Sequence, residues 1–472
     1  MGERLQSLSG LDASFLYLEA AGTPMHVGSL MLLALPKRRG YDFYRSLCAL
    51  VSARLPQIPT LRRVLKAAPL GLGHPLWMEV TQVNLHQHII ERRLRAPGSD
   101  RQLQALVARL QATALPRDRP LWQFVVIHGH HSGALAFYTR IHHALLDGQG
   151  GVALAKLLLD GEAIFPNLRR AAPSPPVAAL PTPGAVALAQ TAARASFSQI
   201  VQLLKALPPA LRLARASGTR VIGDLRRNLL FAPKSVFNRS IDDSRSFATL
   251  SLPLAEIKRL ASGFGVSLND LVMALCAHAL RAWLKSKKAL PSKPLIAAMP
   301  ISLRAHGDSG ASNQVSMVQC SLATQIRDDL ARLRAIQAST AQIKDRVRAF
   351  GKLIPTDFPG VAAPLWATGL SRWWGADGNA ERLPILANLV ISNVPGPALP
   401  LYLAGARLLH NYPVSIVTHG LGLNITLQSY AGQLEFGILS CQQAMADASA
   451  LSALLETAVQ AYAELLADES KS

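Results

Sequence analysis

The run ALAFYTRI (Ala134 to Ile141) ends on HHALLDG (His142 to Gly148), and this junction constrains the fold more than any other part of the chain. The aromatic and β-branched residues before the histidines favour a strand. A second run, LWQFVVIH (Leu121 to His128), precedes it across the polar turn GHHSG (Gly129 to Gly133), so the pair reads as a β-hairpin. A strand that delivers two adjacent histidines into a loop gives at least one imidazole a fixed interior place, as a general base requires. Successive residues on an extended strand point to opposite faces, so His142 and His143 cannot both face one substrate. One of them has a structural job.

At 472 residues the chain is too long for one compact core. An N-terminal lobe is expected over residues 1–165, closing with a buried helix from Gly148 to Leu159. Residues 166–238 read as a connector, Pro-rich from Pro166 to Gly184 and then basic and amphipathic. A second lobe is expected over 239–472. It contains a helix from Leu254, a long helix opening at Ser267 or Asn269 with Asp270 in its first turn, and strands in PLIAAMPISLRA, NQVSMVQCSLAT and LVISNVPG. LNITLQSYAGQLEFGILSC reads as a hairpin with Ala431 and Gly432 at its tip, followed by a helix from Ala446 to Ala467.

The formal charge of +20 creates a field that attracts polyanions: nucleic acid, an anionic lipid surface or a phosphate-bearing substrate. Nucleic acid is disfavoured by the lack of zinc-finger spacing, RNP-like aromatics or a basic block. The charge also serves solubility alone. From Ala185 to Asn228 the apolar residues fall near helical spacing beside Arg194, Lys205, Arg212, Arg215, Arg220, Arg226 and Arg227, with only Asp224 opposed. Such a segment can lie on a bilayer or lipid droplet, or pack across both lobes as an ordinary crossover. No stretch of spanning length is free of charge or proline, and MGERLQSLSG lacks a secretory pattern. The expectation is a cytoplasmic protein peripheral to the inner membrane face or lipid droplets. Cys48, Cys276, Cys320 and Cys441 lack pair spacing, which fits reduced, mostly buried thiols. His128, His130 and His131 could hold a metal, but a solvated turn is the better reading and no metal is expected.

Several segments together resemble the bacterial wax ester synthase/acyl-CoA:diacylglycerol acyltransferases, within the wider acyl-CoA-dependent superfamily sharing HHxxxDG. They are LSGLDASFLYLEAAGTPMHVGSL (Leu8 to Leu30), PLGLGHPLW (Pro69 to Trp77), DRPLW (Asp118 to Trp122), HHALLDG, SLND (Ser267 to Asp270), SNVPGP (Ser392 to Pro397) and PLYLAGARLL (Pro400 to Leu409). The resemblance implies a two-lobed α/β fold of the chloramphenicol-acetyltransferase type with an interlobe active-site tunnel. It implies acyl-CoA as cosubstrate without a bound cofactor, and diacylglycerol or a long-chain alcohol as acceptor. His143 would be the general base and then acid, with His142, Asp147 and Gly148 supporting it. In this family type the aspartate pairs with an arginine, and the LR of PTLRRVL points to Arg62; Asp147 could instead only cap the following helix. Asn269 would support the active site or its oxyanion, and it could equally belong to a helix cap. Ser392 and Asn393 would border the tunnel. His419 departs from the family's usual acidic or small residue, which implies a different acceptor preference if its loop borders that pocket. The rivals are a same-fold acyltransferase for sugar or polyketide hydroxyls, a condensation domain forming amides, and a non-catalytic lipid-droplet coat.

Overall fold

The computed structural model describes residues 5–8, 10–20, 22–67, 74–145, 154–155, 158–166, 231–302, 315–350 and 384–469. The expectations for Asp147, Gly148, the basic segment from Ala185 to Asn228, and most of the helix from Gly148 to Leu159 therefore fall outside the described residues.

The first half carries β1 (Leu5–Ser7), α1 (Gly10–Leu18), β2 (His26–Ala34), α2 (Phe43–Arg54), β3 (Arg63–Lys66), β4 (Leu76–Glu79), α3 (Leu85–His88), β5 (Ile89–Arg93), α4 (Asp100–Ala112), β6 (Trp122–His128), β7 (Leu135–His142) and β8 (Leu159–Asp160). The second carries β9 (Arg245–Pro253), α5 (Leu254–Gly263), α6 (Leu268–Ser286), β10 (Ile296–Ser302), β11 (Val315–Ser321), α7 (Asp329–Phe350), β12 (Leu389–Val394), β13 (Tyr402–Leu403), β14 (Ala406–Val414), β15 (Leu423–Tyr430), β16 (Gln433–Cys441) and α8 (Ser449–Glu469). The described strands form a small sheet, β1-β4-β3, and two large mixed sheets ordered β5-β6-β7-β2-β14-β13-β8 and β11-β10-β12-β15-β16-β9.

The two large sheets are not built from separate halves of the chain. β13 and β14 come from the second half yet extend the N-terminal sheet, with β14 antiparallel to β2. At the joint, Gly437 on β16 faces Pro413 on β14, and a Cβ there would lie 1.7 Å from the Pro413 carbonyl oxygen. Only glycine permits that approach of one sheet to the other.

The β6–β7 hairpin forms as expected, with Trp122 opposite Ile141. Every residue of β7 is buried, because its two faces meet different cores. Leu135, Phe137 and Ile141 join the core beneath α2, while Ala136 and Tyr138 join the larger core shared with α4 and the second lobe. That two-sided burial is why the segment is almost continuously apolar. Its one internal charge, Arg140, is 4% exposed and is satisfied by the carbonyls of Leu110 (2.5 Å) and Thr113 (2.7 Å) at the end of α4 and by Gln123 Oε1 (2.7 Å). A cation suits that position, since unpaired carbonyls collect at a helix C-terminus.

In the second lobe α6 is the central helix, buried along most of its length. Ser267 and Asp270 form a capping box at its start, and Thr340 donates to the second Asp270 oxygen at 2.5 Å. The structural reading of Asp270 is thus the observed one. Ala431 and Gly432, both with positive φ, close the β15–β16 hairpin, and α8 begins at Ser449, whose amide donates to Asp447. Cys276, Cys320 and Cys441 are free and buried, and Cys48 is free and half-buried. Among the described residues no single helix is long and apolar enough to cross a membrane. α5 with α6 passes by length and composition only, across a bend of 99°.

Candidate active site

The end of β7 is gripped by backbone on both sides. The His142 amide donates to the Leu121 carbonyl at 2.9 Å, and the His143 amide donates to the Met25 carbonyl at 2.7 Å. Leu121 belongs to DRPLW, whose Trp122 indole also donates to the Leu61 carbonyl at 2.8 Å and stacks on His88 at 4.2 Å. That segment therefore fixes the histidine pair and the Pro59–Arg62 turn at once.

His142 is 1% exposed. Its Nδ1 accepts from the Ala144 amide at 3.1 Å, so in the neutral ring the proton sits on Nε2. Nε2 points to Glu19 Oε1 at 3.5 Å. The Glu19 carboxylate also accepts from the Met25 amide at 3.2 Å and pairs with Arg117 at 2.7 Å. Burial by itself would raise this carboxyl, but the bond and charge of His142, then Arg117 and the Met25 amide, outweigh it and hold the group at about 2. It is an anion at any working pH. Glu19 thus ties together the end of α1, the entry to β2 and the histidine loop.

His143 follows the strand in a short 3-10 helix, His143–Leu145. Its ring lies against Phe15 with centroids 3.8 Å apart and planes within 16°, and its buried Nδ1 has no hydrogen bond to another residue among the described residues. Burial, reinforced by His142 and opposed by a bond to its own backbone, lowers the imidazole to about 4. The ring is therefore neutral near pH 7, able to accept a proton. His26, directly opposite His142 across the strand pair, is fully buried, and among the described residues neither ring nitrogen has a hydrogen-bond partner. Burial, then Arg140 and His142, push it down to about 3.

The other expected residues are placed as follows. Arg62 ends the Pro59–Arg62 turn and pairs with Glu79 of β4 at 2.5 Å, while Asp147 lies outside the described residues. Asn269 sits half-buried in the first turn of α6, beside the capping Asp270. Ser392 and Asn393 lie on β12, opposite Thr426 and Leu427 of β15. His419 accepts from the Ile241 amide at 3.1 Å, which pins its loop to the start of the second lobe. The GHHSG turn is solvated as expected at Gly129, His131, Ser132 and Gly133, but His130 departs from it: it is 6% exposed, bonded to Asp100 at 2.9 Å and Ser132 at 2.7 Å.

Sequence reasoning missed Glu19, Phe15, His26 and Arg117. One signal was available for the first: in the apolar stretch from Leu8 to Leu30 the acids are Asp12 and Glu19, and Glu19 lies immediately before the turn into β2.

Two sequence profiles cover this framework: the wax ester synthase/diacylglycerol acyltransferase catalytic domain over residues 8–272, and the C-terminal domain of the same family over 311–463. The chain belongs to that family. It is 34% identical over 454 residues to a Mycobacterium bovis protein named for diacylglycerol O-acylation, covering 95% of this chain and 97% of that one. The O-acyltransferase WSD of Acinetobacter baylyi is 33% identical over 477 residues, with 98% of each chain covered. Among solved structures, the wax ester synthase/diacylglycerol acyltransferase of Marinobacter aquaeolei matches with a TM-score of 0.67 at 28% identity, covering 98% of this chain and 100% of that one. The first condensation domain of the calcium-dependent antibiotic synthetase shares the fold at a TM-score of 0.56 and 18% identity, with 98% and 97% covered. The chain is therefore an acyltransferase with the two-lobed fold of this family and of condensation domains.

Two expectations follow from the acyltransferase's buried charges. Glu19→Gln keeps the shape but removes the anion that Arg117 and His142 face. Losing a charged hydrogen bond costs about 1.5–3 kcal/mol, which corresponds to roughly a 10- to 100-fold fall in kcat if the bond holds the catalytic geometry. Steady-state kinetics with unchanged kcat would remove Glu19 from that role. The second concerns pH. His143, His88 and His26 take protons near 6.5 when unfolded but only near 4, 4 and 3 when folded, chiefly because burial opposes the cation. Their contribution is complete above about pH 6.5 and is lost as pH falls through the folded values, on the order of 1–3 kcal/mol for each ring. Glu19, lowered from 4.5 to about 2, extends the loss below pH 4.5. Denaturant midpoints should fall steadily from about pH 7 to about pH 4; a flat profile would contradict the buried neutral rings.

Proposed function

We propose that the protein transfers the acyl group of an acyl-CoA to the hydroxyl of diacylglycerol or a long-chain alcohol, giving triacylglycerol or wax ester. The names of the Mycobacterium bovis and Marinobacter aquaeolei relatives support these acceptors. The observation that carries the mechanism is His143, a half-buried imidazole fixed through its backbone by Met25 and across its face by Phe15. It takes the proton of the acceptor hydroxyl as that oxygen attacks the thioester carbonyl carbon. The carbon–sulfur bond then breaks, and the same imidazolium protonates the departing thiolate. No acyl-enzyme is needed. His142 and Glu19 position the loop, Asp147 and Gly148 complete it, and Asn269 supports the oxyanion or the residues around it. Arg62 braces the loop through Asp147, in addition to its bond with Glu79. Acyl-CoA and acceptor would meet in a tunnel between the lobes, bordered by Ser392 and Asn393.

Labelled palmitoyl-CoA offered hexadecanol and dipalmitoylglycerol in separate assays tests this reading. Labelled neutral lipid is expected from at least one acceptor, and His143→Ala should lower turnover by roughly two to four orders of magnitude. A folded His143→Ala protein with near-normal turnover would defeat the mechanism. Product from neither acceptor would direct attention to sugar or polyketide hydroxyls, or to amines.

The acceptors are nearly insoluble in water, so the enzyme must reach them at a surface. With a formal charge of +20, an anionic membrane or lipid-droplet surface is the proposed partner, and the basic segment from Ala185 to Arg227 the proposed contact. Co-sedimentation with anionic vesicles should weaken as salt rises, because attraction is screened over roughly 10 Å at about 0.1 M. Binding should also fall when Arg212, Arg215, Arg226 and Arg227 become Gln. Equal binding by both proteins, insensitive to salt, would make the segment an interlobe crossover.

A further inference from the structure

At the far end of β7 from His142, roughly 24 Å away at the rise of an extended strand, a second group of convergent side chains lies outside the catalytic framework. Asp100 opens α4, and His130 and His131 occupy the β6–β7 turn; one ligand atom from each lies within 4.8 Å of the others. We propose that these three residues bind a divalent transition-metal ion of the zinc class.

The geometry is close to what such an ion needs. His130 Nε2 is 2.9 Å from Asp100 Oδ1, and His131 Nε2 is 3.2 Å from Asp100 Oδ2. A tetrahedral ion with bonds of about 2.0–2.1 Å holds its ligand atoms roughly 3.3 Å apart. The three ligand atoms, all within 4.8 Å of one another, must draw together by up to about 1.5 Å to hold it, a movement open to the exposed side chains of His131 and Asp100. His130 is already oriented: its Nδ1 meets the Ser132 hydroxyl at 2.7 Å, and a hydroxyl can accept the Nδ1 proton as well as donate to that nitrogen. The tautomer that frees Nε2 for a metal is thus available, with the outer partner that metal-bound imidazoles usually have.

The scaffold holds these groups in place. Ser99 and Gln102 form a capping box that fixes the start of α4. The His131 amide donates to the Gly98 carbonyl at 2.9 Å, and the Leu94 amide to His128 at 2.8 Å. Gly98 packs so closely that a Cβ there would lie 1.8 Å from the Gly129 carbonyl oxygen. Two imidazoles, one carboxylate and no thiolate select zinc, nickel or copper(II) over magnesium or calcium. The side chains of His131 and Asp100 are 49% and 64% exposed, so an ion has a route in and a water can complete its coordination. Bound there, the ion would clip the hairpin to α4 and act on stability, not turnover.

The test uses full-length protein purified without a polyhistidine tag and stripped with a chelator, titrated calorimetrically with zinc chloride and, separately, magnesium chloride. Zinc should bind with one equivalent per chain and micromolar or tighter affinity, and saturating zinc should raise the melting temperature by a few degrees. His131→Ala and Asp100→Asn should each weaken binding at least tenfold while leaving basal acyl transfer unchanged. His131→Gln is the alternative should His131→Ala fold poorly by circular dichroism. No saturable zinc binding, equal binding by the variants, or a preference for magnesium would each overturn the proposal.

Discussion

The Glu19 carboxylate is the interaction on which the geometry around the histidine pair depends. It stands at the junction of α1, β2 and the loop after β7, accepts from the Met25 amide, pairs with Arg117 and faces His142. A single buried anion bonded by the Met25 amide and Arg117 and facing the His142 ring is far more specific than apolar packing. Any displacement leaves charge unpaired in a low-dielectric interior. Met25, held by this carboxylate, is also the residue whose carbonyl receives the His143 amide. The anion and the proposed base are therefore one residue apart in a continuous hydrogen-bonded path, and the neutral state of His143 is set by burial in the same region.

The second constraint is the joining of the lobes. β14 pairs with β2 in the N-terminal sheet, while Gly437 of β16 lies against it from the other. Gln111 spans the same boundary, donating to the His26 carbonyl at 2.8 Å and to the Ser415 carbonyl at 2.7 Å. The strand carrying the histidines is thus held by α4 on one face and by the core beneath α2 on the other. A general base benefits from that support, because misplacement of the reacting groups by about 1 Å can cost two orders of magnitude in rate.

The motif residues acquire distinct physical duties. The leucine of DRPLW supplies the carbonyl that fixes His142, and its tryptophan holds the turn carrying Arg62. The serine and aspartate of SLND close the cap of the buried helix α6. Asp270 caps the helix and accepts from Thr340, and Asn269 sits beside it in the first turn.

The hairpin into HHALLDG, the start of α6, the β15–β16 turn and the C-terminal helix were legible in the chain, because each depends on local rules: residue period, capping chemistry and turn residues. The histidine pair was legible for the same reason, as the end of a strand with no room for polar groups. Glu19 and Arg117 were not, for they meet across 98 positions of sequence, and neither residue's neighbourhood in the chain announces the other. His130 reads as a turn residue until Asp100, 30 positions earlier, is folded against it. The sequence by itself determined the histidine hairpin, the principal elements of the second lobe and where the adjacent imidazoles end their strand. The tertiary structure alone decided which charges meet them and which rings are buried neutral, because desolvation and ion pairing depend on distances in space that separation along the chain does not specify.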